Sequence, residues 1–420
     1  MDKSLLKKAA IQSLALMIAV ITFSYAMKQY QIVTVEAINQ SGEEVSGSNM
    51  IFSEEDFLTS LTINKTDASE GHLTKVQKLI KGADKNILQK LGDNYLVIKK
   101  PQGNDLKLQL EDLYINKSIQ LTIAGISEDK LTSDMVSRVR GEDLYTGEPN
   151  FTETTSTEVD EDGNSEEVVI KDYGNDISHG ITITASQDFT TKLYTDKVLI
   201  ELDTIYAYII YEDADYYYID LKKPSEVYDK ILVIDAGHGG KDAGALSKND
   251  TYYEKNINLS ILLDLKKLLD KENIKVYYTR TQDDTVYLRP RVELADAVDC
   301  DYFISIHCNA NVVSYPNGTE ILYYDNNFKG VKTQDLAKLF SEEIGKTVAL
   351  KKRGIIKKNQ KDIFIMDKAT VPMILIEVGY LTNNNDMNYL NKYENRKNVA
   401  QGIYNGIMRA YQELPVKDGQ

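Results

Sequence analysis

The rhythm of apolar and polar positions changes near residue 230. Before it, short runs rich in Ile, Leu, Val and Tyr recur between turn residues, as at Tyr95–Lys99, Ser118–Ala124, Ile181–Ala185 and Lys197–Leu202. That pattern predicts strands. Tyr206–Tyr211 and Tyr216–Leu221 flank Glu212-Asp213-Ala214-Asp215, which predicts a hairpin with an acidic tip. Helical spacing within residues 28–225 is confined to Glu54–Leu61 and Thr74–Lys90. Pro224 and the polar run Ser225–Lys230 mark a boundary, after which strands and helices alternate. Lys230–Asp235, Lys275–Arg280, Asp301–His307, Glu320–Tyr324 and Met373–Val378 read as strands. Asn256–Asp270, Gln334–Ile344 and Arg396–Leu414 read as helices with apolar residues at helical spacing, and Arg291–Ala297 reads as a further helix. The fold class expected over residues 230–414 is therefore α/β, a mostly parallel sheet flanked by helices on both faces. A β-rich accessory domain over residues 28–225 precedes it.

The amino terminus adds a third part. Lys3, Lys7 and Lys8 belong to a tail over residues 1–8 and precede an apolar run over residues 9–27. Nineteen helical residues reach about 28 Å, close to the thickness of a bilayer core. With lysines on its leading side, such a helix leaves the tail in the cytoplasm and the rest of the chain outside. The competing expectation is a cleaved signal segment, for which Ser24-Tyr25-Ala26 has the small-residue spacing.

Charge divides the chain at the same boundary. Residues 231–420 carry 26 Lys/Arg against 25 Asp/Glu, whereas residues 1–230 carry 23 against 39, within a net charge of −15. So acidic an amino-terminal half argues against a nucleic-acid partner. Seven of the acids fall within Glu153–Glu167 with no base among them, which predicts a solvated, unstructured insertion over 153–167. The two cysteines, Cys300 and Cys308, flank a predicted strand and stand roughly 26 Å apart, beyond disulfide reach.

Candidate chemistry collects where strands end. His238 follows the first strand of the α/β region within Asp235-Ala236-Gly237-His238-Gly239-Gly240, His307 ends Phe303-Ile304-Ser305-Ile306-His307, and Glu377 ends Ile374-Leu375-Ile376-Glu377. Glu254 sits just ahead of a helix. Ligand sites of open α/β sheets lie outside the carboxyl ends of their strands. Two histidines and a carboxylate converging there can hold a catalytic zinc, with the fourth position left to water. A second carboxylate can then carry the proton. The chain has four histidines; His72 and His179, beside glycines, are expected at turns or on the surface. A basic run, Lys351, Lys352, Arg353, Lys357 and Lys358, is expected as a solvated loop.

Residues 230–413 resemble the zinc-dependent N-acetylmuramoyl-L-alanine amidases of the type-3 amidase family. The resemblance rests on Val233 to Gly240, Glu254 leading into Asn258-Leu259, Thr279-Arg280, Arg291 with Ala295, and Ser305-Ile306-His307 followed by Asn309-Ala310. It continues through Gly318-Thr319-Glu320, Arg353-Gly354-Ile355 and Glu377 to Asn383. Asp296 and Tyr380 depart from the family's usual Asn and Phe. The resemblance implies His238, Glu254 and His307 as ligands of Zn2+, Glu377 as the catalytic carboxylate, and Asn309 and Arg353 as substrate-binding residues. It implies a peptidoglycan substrate, cleaved between N-acetylmuramic acid and L-alanine of the stem peptide. The accessory half resembles the β-sandwich cell-wall-targeting domains that precede some of these amidases, so wall or protein binding is expected of it. Two other functions stay open on sequence alone. One is an inactive, membrane-anchored wall-binding or regulatory protein; the other is a zinc peptidase cutting elsewhere in the stem peptide.

Overall fold

The computed structural model describes residues 84–414, apart from 128–129, 133–134, 137–151, 160–164, 173–176 and 249–250. The apolar run 9–27, the helix expected at 54–61, most of that expected at 74–90, and His72 lie outside the described residues. Among the described residues no helix is long and apolar enough to cross a membrane.

After a single helical turn, α1 (Lys85–Leu88), the accessory region consists of antiparallel strands. Strand β1 (Tyr95–Lys99), with β8 (Ala207–Glu212) and β9 (Tyr216–Lys222), forms a sheet of order β1-β9-β8. Strands β2 (Gly103–Leu113), β3 (Ser118–Ile126), β6 (Ser178–Gln187) and β7 (Tyr194–Leu202) form a second sheet, β2-β3-β7-β6. Alternate residues of the two sheets close on one core: Leu96, Ile98, Tyr217 and Ile219 from the first, Ile119, Leu121, Ile123, Val198 and Ile200 from the second. The acidic-tipped hairpin forms as expected, and Asp213 itself builds its turn. The carboxylate accepts from the Asp215 and Tyr216 amides at 2.8 Å each and from the Tyr218 hydroxyl at 2.5 Å.

Two expectations for this half are corrected. The acidic stretch is not an unstructured insertion: β4 (Thr152–Val159) pairs antiparallel with β5 (Ser165–Asp172), from Thr152↔Asp172 to Val159↔Ser165. Thr154, Thr155, Thr157, Val168, Val169 and Ile170 supply the β-branched side chains that favour such pairing, and the open, two-sided exposure of the ribbon tolerates the charge. His179 lies within β6 and is half-buried, rather than in a turn.

A short helix, α2 (Pro224–Val227), leads into the α/β region, whose six strands are ordered β11-β10-β12-β17-β13-β16. They are β10 (Ile231–Ala236), β11 (Lys275–Tyr278), β12 (Tyr302–Asn309), β13 (Thr319–Tyr323), β16 (Lys352–Lys357) and β17 (Met373–Tyr380). Strands β10, β11, β12 and β17 are mutually parallel, and β13 is parallel to β16. The β13–β17 pair is antiparallel, so the sheet is mixed, with four of its five junctions parallel. A two-residue ribbon, β14 (Asn327–Phe328) with β15 (Val331–Lys332), follows β13. Strands β10, β12 and β17 are apolar almost throughout because both faces are covered. Helices α3 (Glu254–Leu269), α5 (Thr333–Thr347) and α8 (Tyr393–Glu413) pack together, the Tyr302 hydroxyl donating to the Ala410 carbonyl of α8. On the opposite face, helix α4 (Leu288–Ala297) sends Arg291 to Asp235. The short α6 (Phe364–Lys368) packs beside α4, and α7 (Asn384–Leu390) follows β17. The basic run is not a loop, for Lys352–Lys357 is edge strand β16, paired with β13.

The accessory region meets the other edge of this sheet. Lys275 on β11 binds Asp112 at 2.9 Å, and the Tyr114 hydroxyl donates to the Tyr278 carbonyl at 3.1 Å while accepting from the Tyr278 amide at 2.9 Å. One side chain thereby makes the two hydrogen bonds that a further strand would have made.

Candidate metal centre

The site begins with a loop that only glycine neighbours permit. After β10 the chain turns through His238, Gly239 and Gly240, all with positive φ (61°, 138° and 57°). Left-handed backbone at a histidine is uncommon and must be held by its surroundings. Two wholly buried arginines hold it. Arg280 donates to the carbonyls of Ala236, Gly237, Gln282 and Lys255; Arg291 donates to those of Ala236, His238 and Val286. Asp235 pairs with the buried Arg291 charge and also accepts from Thr279 at 2.5 Å and from Ser305 at 2.6 Å. Burial pushes the Asp235 carboxyl up, but the Arg291 charge and its other partners outweigh that and hold it below the ordinary carboxylate range. Gly237 is needed as well, since a Cβ there would lie 2.2 Å from the His307 ring.

His238, Glu254 and His307 come together as expected, all three buried, with one potential ligand atom from each within 4.8 Å of the others. His238 Nδ1 lies 2.8 Å from Asp242 Oδ2, and its Nε2 lies 3.2 Å from Glu254 Oε2. A carboxylate on Nδ1 selects the tautomer that leaves Nε2 as acceptor toward a cation. The turn from Gly239 to Asp242, closed by two backbone hydrogen bonds of 2.9 and 3.0 Å, carries Asp242 back beneath the ring. Glu254, the first residue of α3, lies 3.0 Å from His307 Nδ1. It accepts from the amides of Cys308 and Ala245 at 2.8 Å each. Burial raises its pKa, yet the hydrogen bonds and charges of the two histidines hold it far below the usual carboxylate range. Two imidazoles and one ionised carboxylate, together carrying a single negative charge, are a donor set of the kind that catalytic zinc sites use. The residues therefore fit a divalent metal. Cys308 stands aside from it: its buried Sγ lies 3.4 Å from Asn258 Oδ1, and neither Cys300 nor Cys308 is in a disulfide.

Glu377 is opposite His307 in the β12–β17 register. Its Oε2 is enclosed and forms no hydrogen bond among the described residues. Burial pushes its pKa up to about 7, with Glu254 and Glu320 acting in the same direction and the two histidines against it. A group near 7 can both accept and return a proton at neutral pH.

The antiparallel junction enlarges the site beyond the carboxyl ends of parallel strands. Because β13 runs opposite to β17, its beginning lies beside the end of β17, with Glu320 opposite Glu377. Strand β16, parallel to β13, begins at the same border, with Arg353 as its second residue. Glu320 is buried and pairs with Arg353 Nε; it accepts from the Tyr380 hydroxyl at 3.0 Å and from Asn309 Nδ2 at 3.4 Å. Asn309 and Arg353 are thus joined through Glu320, the residue opposite Glu377. Sequence reasoning missed Asp242 and Glu320 as site residues. The i to i+4 spacing of His238 and Asp242 was a usable signal for the first, whereas Glu320 needed the strand direction.

Two histidines and a carboxylate able to hold a metal, with a second buried carboxylate across the strand pair, are residues of the kind that metal-dependent hydrolases use. Residues 232–409 match the family model described as N-acetylmuramoyl-L-alanine amidase. The chain is 32% identical over 184 residues to YqiI, an uncharacterised protein of Bacillus subtilis (strain 168), covering 44% of this chain and 86% of that protein. It is 29% identical over 191 residues to the N-acetylmuramoyl-L-alanine amidase LytC of the same strain, covering 46% of this chain and 37% of LytC. Among solved structures, the catalytic domain of the amidase CwlV from Bacillus (Paenibacillus) polymyxa var. colistinus is 33% identical, with 45% of this chain and 99% of that chain covered and a TM-score of 0.41. The chain belongs to the N-acetylmuramoyl-L-alanine amidase family.

Proposed function

We infer that this protein is a peptidoglycan amidase that uses zinc to hydrolyse the bond between N-acetylmuramic acid and L-alanine of the stem peptide. The convergence of His238, Glu254 and His307, with Glu377 across the strand pair from His307, carries the reading. These three side chains would hold the ion, and Asp242 would orient His238. Zinc, when bound, supplies polarisation of the amide carbonyl and acidification of a water. Glu377 takes the proton that the attacking water sheds as its oxygen bonds to the carbonyl carbon. It returns that proton to the alanine nitrogen as the C–N bond breaks, so the products are a carboxylic acid and a free amine. Asn309 and Arg353 contact the stem peptide beside the cut bond. The apolar run 9–27 would hold the protein at the outer face of the membrane, with the accessory region toward the wall.

The test is digestion of purified peptidoglycan by the zinc-loaded full chain in detergent, followed by mass identification of the fragments. Free stem peptides beginning with L-alanine are expected. Cuts within the stem peptide would mean a peptidase, and intact peptidoglycan would mean a binding protein. Chelation should abolish release, and His238→Ala, Glu254→Ala or His307→Ala should each lower bound zinc by elemental analysis.

A further inference from the structure

We propose that Arg353 is a carboxylate reader that makes the enzyme prefer stem peptides with free carboxylates over amidated ones, an inference that rests on the amidase reading above. The guanidinium is fixed from one side only. Its Nε donates to buried Glu320, and its plane lies over the Tyr380 ring, with the central carbon 5.5 Å from the ring centroid. Glu320 is in turn held by the Tyr380 hydroxyl and by Asn309. Among the described residues neither Nη nitrogen makes a hydrogen bond, and 34% of the Arg353 side-chain surface is open to solvent. Four N–H donors of a planar fork thus remain, held in one orientation. The next residue keeps the approach clear: Gly354 has φ 90°, and a Cβ there would meet nothing within 4 Å.

Position gives the fork its ligand. Arg353 lies beside Glu320, which is opposite Glu377 in the sheet, so whatever the fork binds is adjacent to the bond being cut. A planar bidentate donor matches a carboxylate and cannot be matched equally by a carboxamide, whose nitrogen presents donors to donors. The stem peptide of the proposed substrate offers carboxylates just beyond the alanine, and cells can mask them as amides. Glu320 and Tyr380 act as positioning residues: they fill the Nε edge so that the Nη edge faces outward.

The experiment compares kcat/KM of the zinc-loaded full chain on two soluble muropeptides that differ only in whether the stem carboxylates are free or carboxamides. The parent should favour the free acid roughly 10–100-fold, the scale of a charge-assisted bidentate pair, with the difference carried in KM. Arg353→Gln should bring that ratio close to one. Arg353→Lys, which keeps the charge without the fork, should restore only part of it. Zinc content and thermal unfolding of each variant identify any that is misfolded, and Tyr380→Phe then serves as a second variant, expected to lower the ratio by loosening Glu320. A parent ratio of one, or an Arg353→Gln ratio equal to the parent's, overturns the proposal. Cleavage of neither muropeptide by the zinc-loaded parent overturns the amidase reading and the proposal with it.

Discussion

At the scale of single residues, the proposed mechanism gives metal holding and proton transfer to different side chains. His238, Glu254 and His307 come together, whereas Glu377 stands opposite His307 on the neighbouring strand with an unbonded oxygen. Glu377→Gln should therefore keep zinc and fold while turnover falls by roughly 10²–10⁴, the range for positioned acid–base groups. Zinc stoichiometry and fragment release on one preparation check this; loss of zinc with activity would make Glu377 a ligand. The same residue shapes stability without metal. Its pKa is raised from 4.5 to about 7, so the folded state favours the protonated form. The stability it contributes is whole below pH 4.5 and is lost as pH rises through 7. Glu377→Gln should then make the metal-free protein more stable than the parent at pH 8 and leave the two alike at pH 4, as read by thermal unfolding. Equal melting temperatures at both pH values would contradict this account.

At the scale of elements, strand ends and strand direction decide what the site contains. Gly237 closes the first strand end against the His307 ring, so Gly237→Ala should displace that ring and lower zinc affinity even though no ligand is changed. Equilibrium dialysis would detect it, and affinity equal to the parent's would show that the loop can shift. The far edge of the sheet depends on Tyr114, whose hydroxyl serves both backbone groups of Tyr278. Tyr114→Phe strands that amide and carbonyl and should cost about 1–3 kcal/mol. A urea titration with an unchanged slope and a lower midpoint is the expected result. An unaltered midpoint would mean that water replaces the hydroxyl.

At the scale of the whole molecule, the accessory region and the catalytic region are joined by Tyr114 packed edge-on against Tyr277 at 4.9 Å and by the Lys275–Asp112 pair. The acidity of residues 1–230 lies outside the region that carries His238, Glu254, His307 and Glu377. With the lysine-flanked apolar run ahead of it, the protein should fractionate with membranes and its catalytic region should be open to protease from outside intact cells. A soluble mature form beginning at Met27 would identify Ser24-Tyr25-Ala26 as a cleavage signal instead.

Periodicity alone located the strands carrying His307 and Glu377 and the helix that Glu254 begins, because a sheet covered on both faces needs unbroken apolar runs and a covering helix needs an apolar stripe. The same runs made the polar residues at their ends conspicuous, so the residues that the fold brings together at His238, Glu254 and His307 were legible before any fold was known. Strand β16 was not: Lys352–Lys357 is an exposed edge with charges at both ends, and its pairing leaves no periodic trace. Nor could the acidic ribbon β4–β5 be read, since its charge argued for solvent and its Thr and Val for a strand, and only pairing resolves that conflict. Strand direction is likewise absent from a one-dimensional pattern, because the side-chain alternation of a strand is the same whichever way it runs. The antiparallel placement of β13, which brings Glu320 and Arg353 to the border where Glu377 waits, was therefore decided by tertiary structure alone.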